Sequence, residues 1–96
     1  MLEIRPNCEN CAKPLPNNCF DAMICSFECT FCMNCVTNIL FNVCPNCGGG
    51  FEKRPVRPQA LFEKYPASTV KIIKQINQGE FVIKLNKYQS IKPNHR

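Results

Sequence analysis

The chain has 96 residues, nine of them cysteine, and a formal net charge of +5 at pH 7. A chain of this length buries only a thin core, so it allows one small domain that a disulfide or a metal commonly stabilises. The first residues, MLEIRPNC, have no apolar signal region, and no apolar run approaches the roughly 20 residues of a membrane span. We therefore expect a cytoplasmic protein without membrane contact, whose clustered cysteines bind metal.

Cysteine and charge are both distributed unevenly. All nine cysteines lie between Cys8 and Cys47. Residues 1–52 carry two basic and five acidic side chains, formally −3, whereas residues 53–96 carry ten basic and two acidic ones, formally +8. This division predicts a metal-nucleated module over residues 1–51, a charged linker with prolines over 52–59, and a basic tail over 60–96.

Two elements and a turn are predicted in the module. Residues 22–26 favour a short strand, and residues 35–41 favour a helix because their apolar side chains recur at i, i+3 and i+4; these are Val36, Ile39 and Leu40. The glycines of residues 48–51 predict a flexible turn that ends the module.

The tail is more ambiguous. Residues 60–64 predict a helical turn, and residues 66–79 favour a helix capped by Ser68 or Thr69, with apolar positions at Val70, Ile73 and Ile76. The alternative is a strand that turns at the segment NQGE. Residues 80–88 predict a strand because alternate side chains are apolar, namely Phe81, Ile83 and Leu85. Residues 89–96 are expected to be disordered.

Eight cysteines form four pairs at metal-ligand spacing: Cys8-x2-Cys11, Cys25-x3-Cys29, Cys32-x2-Cys35 and Cys44-x2-Cys47. Eight thiolates supply two tetrahedral sites of the kind that Zn2+ prefers. The pairs can combine sequentially, first with second and third with fourth, or in an interleaved way, first with third and second with fourth. In both cases the step through Thr30 and Phe31 crosses from one metal to the other.

The order of these pairs over residues 8–47 resembles an all-cysteine RING finger, most clearly in the segment FCMNCVTNILFNVCPNC. The resemblance implies a small metal-stabilised α+β fold, a RING-like cross-braced treble clef with two zinc sites and a short basic C-terminal appendage. It implies that one zinc ion is held by Cys8, Cys11, Cys32 and Cys35. The second would be held by Cys25, Cys29, Cys44 and Cys47.

The resemblance does not extend to the positions with which RING domains recruit a ubiquitin-conjugating enzyme. Glu9 and Asn10 stand where the first pair usually encloses an apolar residue, the chain has no tryptophan, and Gly48 replaces the usual basic residue after the last cysteine. We therefore expect a RING-like fold without ubiquitin-ligase activity, because fold does not fix function.

A second resemblance covers residue 1 to about residue 70. The segments MLEIRPNCENC, ICSFECTFC, CPNCGGGF and KYPAST resemble a short bacterial cysteine-rich family classed as a domain of unknown function. This resemblance implies a cytoplasmic metal-binding protein and brings no activity with it.

The remaining chemistry-bearing residues predict no catalysis. Cys19 has no partner at ligand spacing, so we interpret it as a small apolar side chain; the alternatives are a redox-sensitive thiol or a substitute ligand for Cys25. His95 is the single histidine and receives no role. Neither a nucleophile–base pair nor an open metal position is available, so no catalytic residue and no small-molecule substrate is expected.

The leading hypothesis is a non-enzymatic zinc module with two Zn2+ ions that mediates contact with another protein. The alternative is nucleic-acid binding through the basic tail, with lysine and arginine on phosphates; the candidate contacts are Lys53, Arg54, Arg57, Lys64, Lys71 and Lys74. A rubredoxin-type iron centre, suggested by CPNCGG, and a ubiquitin ligase rank below these.

Overall fold

The computed structural model describes residues 1–96. A three-stranded antiparallel sheet has the order β2-β1-β3, with β1 at Ala22–Ile24, β2 at Thr30–Cys32 and β3 at Glu52–Lys53. The helices are α1 (Met33–Asn38), α2 (Gln59–Phe62) and α3 (Gln78–Tyr88), followed by a 3-10 turn at Pro93–His95. None of these helices combines the length and apolar character that a membrane crossing requires.

The predicted strand and helix of the module are both present, with different ends. Strand β1 ends two residues before the predicted limit, and α1 begins directly after β2 and ends at Asn38. The predicted apolar side of this helical segment packs against the core, where Val36 and Leu40 are buried. The helix is short because the chain leaves helical geometry at Phe41 and Asn42, whose φ angles are 49° and 60°.

Cysteine dominates the core. The main buried cluster has 14 residues, and six of them are cysteines: Cys8, Cys25, Cys29, Cys32, Cys35 and Cys44. The aromatic part is small: Phe31 and Phe51 meet edge to face, with ring centroids 5.5 Å apart. Besides the cysteines, the cluster has only seven larger apolar side chains, and a core of this size is commonly stabilised further by a metal or a disulfide.

The predicted linker of residues 52–59 contains part of the sheet. Strand β3 pairs with β1, and the next residue, Arg54, is only 1% exposed. The N–H of Arg54 also donates to the carbonyl of Ala22 at 2.9 Å. This segment therefore continues the module, because its backbone completes the free edge of β1.

The predicted helix over residues 66–79 is wrong. Residues 66–77, here called the strap, have no helix or strand and run along residues 4–10. Their backbone groups bond to distant partners: Ser68 N–H donates to the Ile4 carbonyl at 2.8 Å, and the Asn7 side chain donates to the Ile72 carbonyl at 3.0 Å. These long-range bonds replace the helical ones, which the β-branched side chains of the strap favour poorly.

The predicted strand over residues 80–88 is a helix. Its first turn is capped by Asn77, whose side-chain oxygen accepts the N–H of Glu80 at 3.2 Å. The segment NQGE is thus a helix start and not a hairpin turn. The packed side chains are Phe81, Leu85 and Tyr88, which follow helical spacing, whereas Ile83 is 73% exposed.

The last residues, expected to be disordered, have a defined path in the structure. Pro93–His95 form the 3-10 turn, and the Arg96 guanidinium donates to the Asn42 carbonyl at 2.7 Å and the Gly48 carbonyl at 3.3 Å. The terminus is therefore held against the cysteine-rich module by a charged side chain.

Candidate metal centres

The first sulfur group consists of Cys8, Cys11, Cys32 and Cys35, whose Sγ atoms all lie within 4.8 Å of one another. The Cys8–Cys35 and Cys11–Cys32 sulfurs are 3.8 and 3.7 Å apart. A tetrahedron with Zn–S bonds of about 2.3 Å has edges of about 3.8 Å, whereas a disulfide joins sulfurs at about 2.05 Å. All nine cysteines are free, so this donor set fits a tetrahedral metal ion.

The second sulfur group is less closed. The Sγ atoms of Cys25, Cys44 and Cys47 lie within 4.8 Å of one another, and the sulfur of Cys29 falls outside that limit. Burial is the main cause of the raised pKa values of Cys25 and Cys44, and the neighbouring Cys29 thiol contributes to both shifts. Both groups follow the interleaved combination of pairs, since neither joins the first pair with the second.

The first and fourth cysteine pairs form matching loops, residues 8–13 and 44–49, here called the first and second knuckles. In each, the first cysteine donates its N–H to the carbonyl five residues on, and its carbonyl accepts the N–H four residues on. These distances are 2.9 and 3.0 Å in the first knuckle and 2.8 and 2.8 Å in the second. The residue after each pair has a positive φ, 65° at Ala12 and 79° at Gly48, which lets the loop close.

Side-chain amides reach the sulfurs from within the knuckles. The Nδ2 atom of Asn10 donates to Cys35 Sγ at 3.4 Å, and Nδ2 of Asn46 donates to Cys29 Sγ at 3.3 Å. These two residues were missed in the sequence analysis. The sequence pattern that could have identified them is the motif C-x-N-C, which occurs in three of the four pairs, at residues 8–11, 32–35 and 44–47.

Backbone N–H groups supply further hydrogen bonds. Phe27 N–H donates to Cys25 Sγ at 3.3 Å, and Gly49 N–H donates to Cys47 Sγ at 3.4 Å. Donors of this kind stabilise a thiolate over a thiol. The second group therefore has these two backbone donors in place for a charged sulfur, and the first group has the Asn10 amide.

Burial acts in the opposite direction when no cation is bound. It raises the pKa of the Cys25 thiol to about 11 and raises the pKa values of Cys35 and Cys44 as well. A divalent cation favours the thiolate form and displaces the protons. Burial therefore favours the protonated thiol form of these side chains, and a metal ion bound between the sulfurs would favour the thiolate form.

The two residues that separate the sulfur groups along the chain, Thr30 and Phe31, belong to strand β2 and are buried in the core. Glu9, inside the first knuckle, accepts the Thr30 N–H with its carboxylate and donates its own N–H to the Thr30 carbonyl at 3.0 Å. The segment predicted to connect the two metal sites is thus a buried strand, hydrogen-bonded to the first knuckle.

The structure keeps Cys19 and His95 out of both groups. Cys19 is half-buried, and its nearest cation is the Arg54 guanidinium, 4.0 Å from the sulfur. His95 is exposed in the C-terminal turn. The substitute-ligand alternative for Cys19 therefore has no geometric support.

Two candidate nucleic-acid contacts have structural roles instead. Arg54 is buried and cannot reach a phosphate. Arg57 is half-buried and donates to the carbonyls of Leu2 and Tyr65, the latter at 2.7 Å. The four lysines of that set, Lys53, Lys64, Lys71 and Lys74, are exposed.

Comparison with known proteins places the chain among bacterial relatives. Residues 1–57 match the family described as Protein of unknown function (DUF1272). An uncharacterized protein of Rhizobium meliloti (strain 1021) is 55% identical over 74 residues, which cover 77% of this chain and 88% of the relative. No solved structure matches the chain. The resemblance to a cysteine-rich family of unknown function is thus confirmed, and the chain belongs to the DUF1272 family.

Proposed function

We propose that this protein is a non-catalytic zinc module in which each sulfur group binds one Zn2+ ion. The observation that carries the proposal is the first group: four sulfurs from two distant pairs lie at tetrahedral spacing. Cys29 completes the second group when a metal draws it in. The proposed architecture is the RING-like cross-braced treble clef, in a cytoplasmic setting where thiols stay reduced.

The donor chemistry supports zinc in a structural role. Four thiolates form a soft, closed ligand set, which leaves no coordination position for a substrate or a water. The sulfur groups contain no histidine or carboxylate. The metal in this proposal therefore stabilises a surface and does not react.

Exposed apolar side chains support protein contact as the use of that surface. Val70 and Ile73 of the strap are 62% and 56% exposed, and Ile83 of α3 is 73% exposed. The strap and α3 are consecutive in the chain, and exposed apolar patches on a small protein are typical of an interaction site.

Metal counting tests the first part of the proposal. Elemental analysis of the full chain is expected to find about two zinc ions per molecule, and Cys8→Ser and Cys44→Ser are each expected to lose one. Cys19→Ser is the matched control, because its sulfur lies in neither group, and it should retain both ions. A protein with no metal, one ion, or iron in place of zinc would overturn the proposal.

Affinity capture tests the second part. Proteins retained by the zinc-loaded chain are compared with those retained by Ile73→Asp and Ile83→Asp, with Lys71→Ser as an exposed control on the strap. A specific partner should be lost with the aspartate variants and kept with the control. Identical retention by all four proteins would reject contact through these residues.

A further inference from the structure

We propose that Asn10 and Asn46 are positioning residues of the two metal centres, each holding a ligand sulfur of the opposite cysteine pair through its side-chain amide. This inference rests on the proposed zinc-binding function. It adds to that function a pair of groups that act on the metal through its ligands.

The hydrogen bonds cross each centre. Asn10 lies between Cys8 and Cys11, and its amide donates to Cys35, which belongs to the other pair of the first group. Asn46 lies between Cys44 and Cys47, and its amide donates to Cys29, from the other pair of the second centre. Each amide therefore joins the two halves of its centre, which come from segments 17 to 25 residues apart.

The contact to Cys29 has a particular consequence. Cys29 is the sulfur that lies outside the close second group. The Asn46 amide, 3.3 Å away, links this sulfur to the second knuckle. Asn46 therefore keeps the fourth ligand within reach of the other three.

The charge of a zinc–tetrathiolate centre gives the amides their chemical effect. One dication and four thiolates sum to −2, and that charge resides mostly on the sulfurs. An N–H donor stabilises the charged sulfur and disfavours its protonation and departure. Loss of the donor should weaken metal retention at that centre.

The chain provides a natural control at Asn34. It occupies the same position in the third C-x-N-C motif, between Cys32 and Cys35. Because this motif lies at the start of α1, Asn34 is exposed, and its side-chain oxygen accepts the Asn38 amide at 2.7 Å. Asn34 thus shares sequence context with the other two asparagines without their sulfur contact.

Asn10 has a second bond that must be separated from the first. Its Oδ1 atom accepts the N–H of Ile76 at 2.9 Å and so anchors the strap. Asn10→Asp keeps an acceptor for Ile76, removes the donor to sulfur and adds a negative charge. A metal-positioning role predicts that Asn10→Asp is worse than Asn10→Ala, whereas a purely strap-holding role predicts that it is milder.

The experiment uses the full chain loaded with cadmium-113, whose NMR resonance reports each thiolate centre separately. Wild type should give two resonances; Asn10→Ala should shift one, Asn46→Ala the other, and Asn34→Ala neither. In competition with a chelator, the affected centre should lose metal affinity by about 10- to 100-fold.

The outcomes distinguish this inference from the proposed function. A wild-type chain that does not take up two ions overturns the function. Two ions in wild type, with Asn10→Ala and Asn46→Ala equal to Asn34→Ala in both measurements, overturn only the positioning role. Equal weakening of all three variants indicates general instability and also overturns it. Because Asn46 is exposed, Asn46→Ala alone decides the matter if Asn10→Ala does not fold.

Discussion

Arg54 carries a permanent positive charge into the core at the edge of the sheet. Its guanidinium donates to the carbonyls of Arg5, Leu15 and Pro16, each at 2.9 Å, and makes no ion pair with a carboxylate. Burial lowers the pKa of the group, while the neighbouring Cys19 and Asp21 act against the shift. The Arg54 side chain therefore joins the end of β3, through hydrogen bonds, to the segments on either side of the first knuckle; this is its bracket role.

Replacement of Arg54 by lysine should destabilise the zinc-loaded protein by roughly 2–4 kcal/mol, because an ammonium cannot reach three carbonyls in this planar arrangement. The measurement is the free energy of unfolding in denaturant. Lys53→Ala, one residue earlier and exposed, removes only the contact of its ammonium with the Phe20 ring, 4.3 Å from the ring centroid, and should change it by at most about 1 kcal/mol. Equal effects of the two substitutions would contradict the bracket role.

Gly48 illustrates a backbone requirement at the same scale. Its φ is 79°, and a Cβ atom placed there would lie 2.6 Å from Cε2 of Tyr88. Gly48→Ala should cost about 1–3 kcal/mol of stability through backbone strain and the displaced ring. Gly49→Ala is the control, since its Cβ would come no closer than 3.4 Å to Cys47 Sγ. Thermal unfolding of the two variants checks the difference, and similar melting temperatures would disprove it.

At the scale of elements, α3 is attached to the module by one apolar face and one cation. Phe81 is buried at the centre of that face. The Lys84 ammonium donates to the carbonyls of Pro45 and Asn46 in the second knuckle, at 3.1 and 2.9 Å. The helix thus contacts the backbone of the second knuckle directly.

Phe81→Ala should release α3 while leaving the knuckles intact, because Phe81 is the one fully buried side chain of the helix. Hydrogen exchange should show α3 amides losing protection and knuckle amides keeping theirs. Ile83→Ala, two residues on and exposed, should leave both unchanged. Loss of protection throughout the chain would show that α3 is integral to the module and not a docked element.

The elements also show where sequence patterns suffice and where they fail. Cysteine spacing is local, so it predicted the four pairs but left two ways of combining them; the resemblance to a RING finger implied the interleaved one. The apolar spacing of Val36 and Leu40 predicted α1. The strand prediction for residues 80–88 failed because Phe81, Ile83 and Leu85 fit the alternation of a strand, while Phe81 and Leu85 fit helical spacing equally well. Local pattern alone does not reveal bonds such as Asn7 to Ile72, 65 residues apart.

For the whole molecule, the proposed zinc ions would be the main source of cohesion. Chelation of the proposed ions should unfold the sheet and release α3, because six of the 14 core residues are cysteines of the two candidate metal centres. Far-UV circular dichroism and the NMR dispersion of core methyl groups should collapse together and recover when zinc is restored. Retention of native dispersion after complete metal removal would contradict this view of the core.

The matching knuckles also bear on the time order of folding. Each closes a loop of six residues with two hydrogen bonds of its own, whereas the strap and α3 attach through contacts that span 38 to 66 positions. Short loops close at a lower entropic cost than long ones and therefore form earlier. We expect the nascent chain to form the first knuckle as soon as residue 13 is available. The first sulfur group remains incomplete until Cys32 and Cys35 have been synthesised.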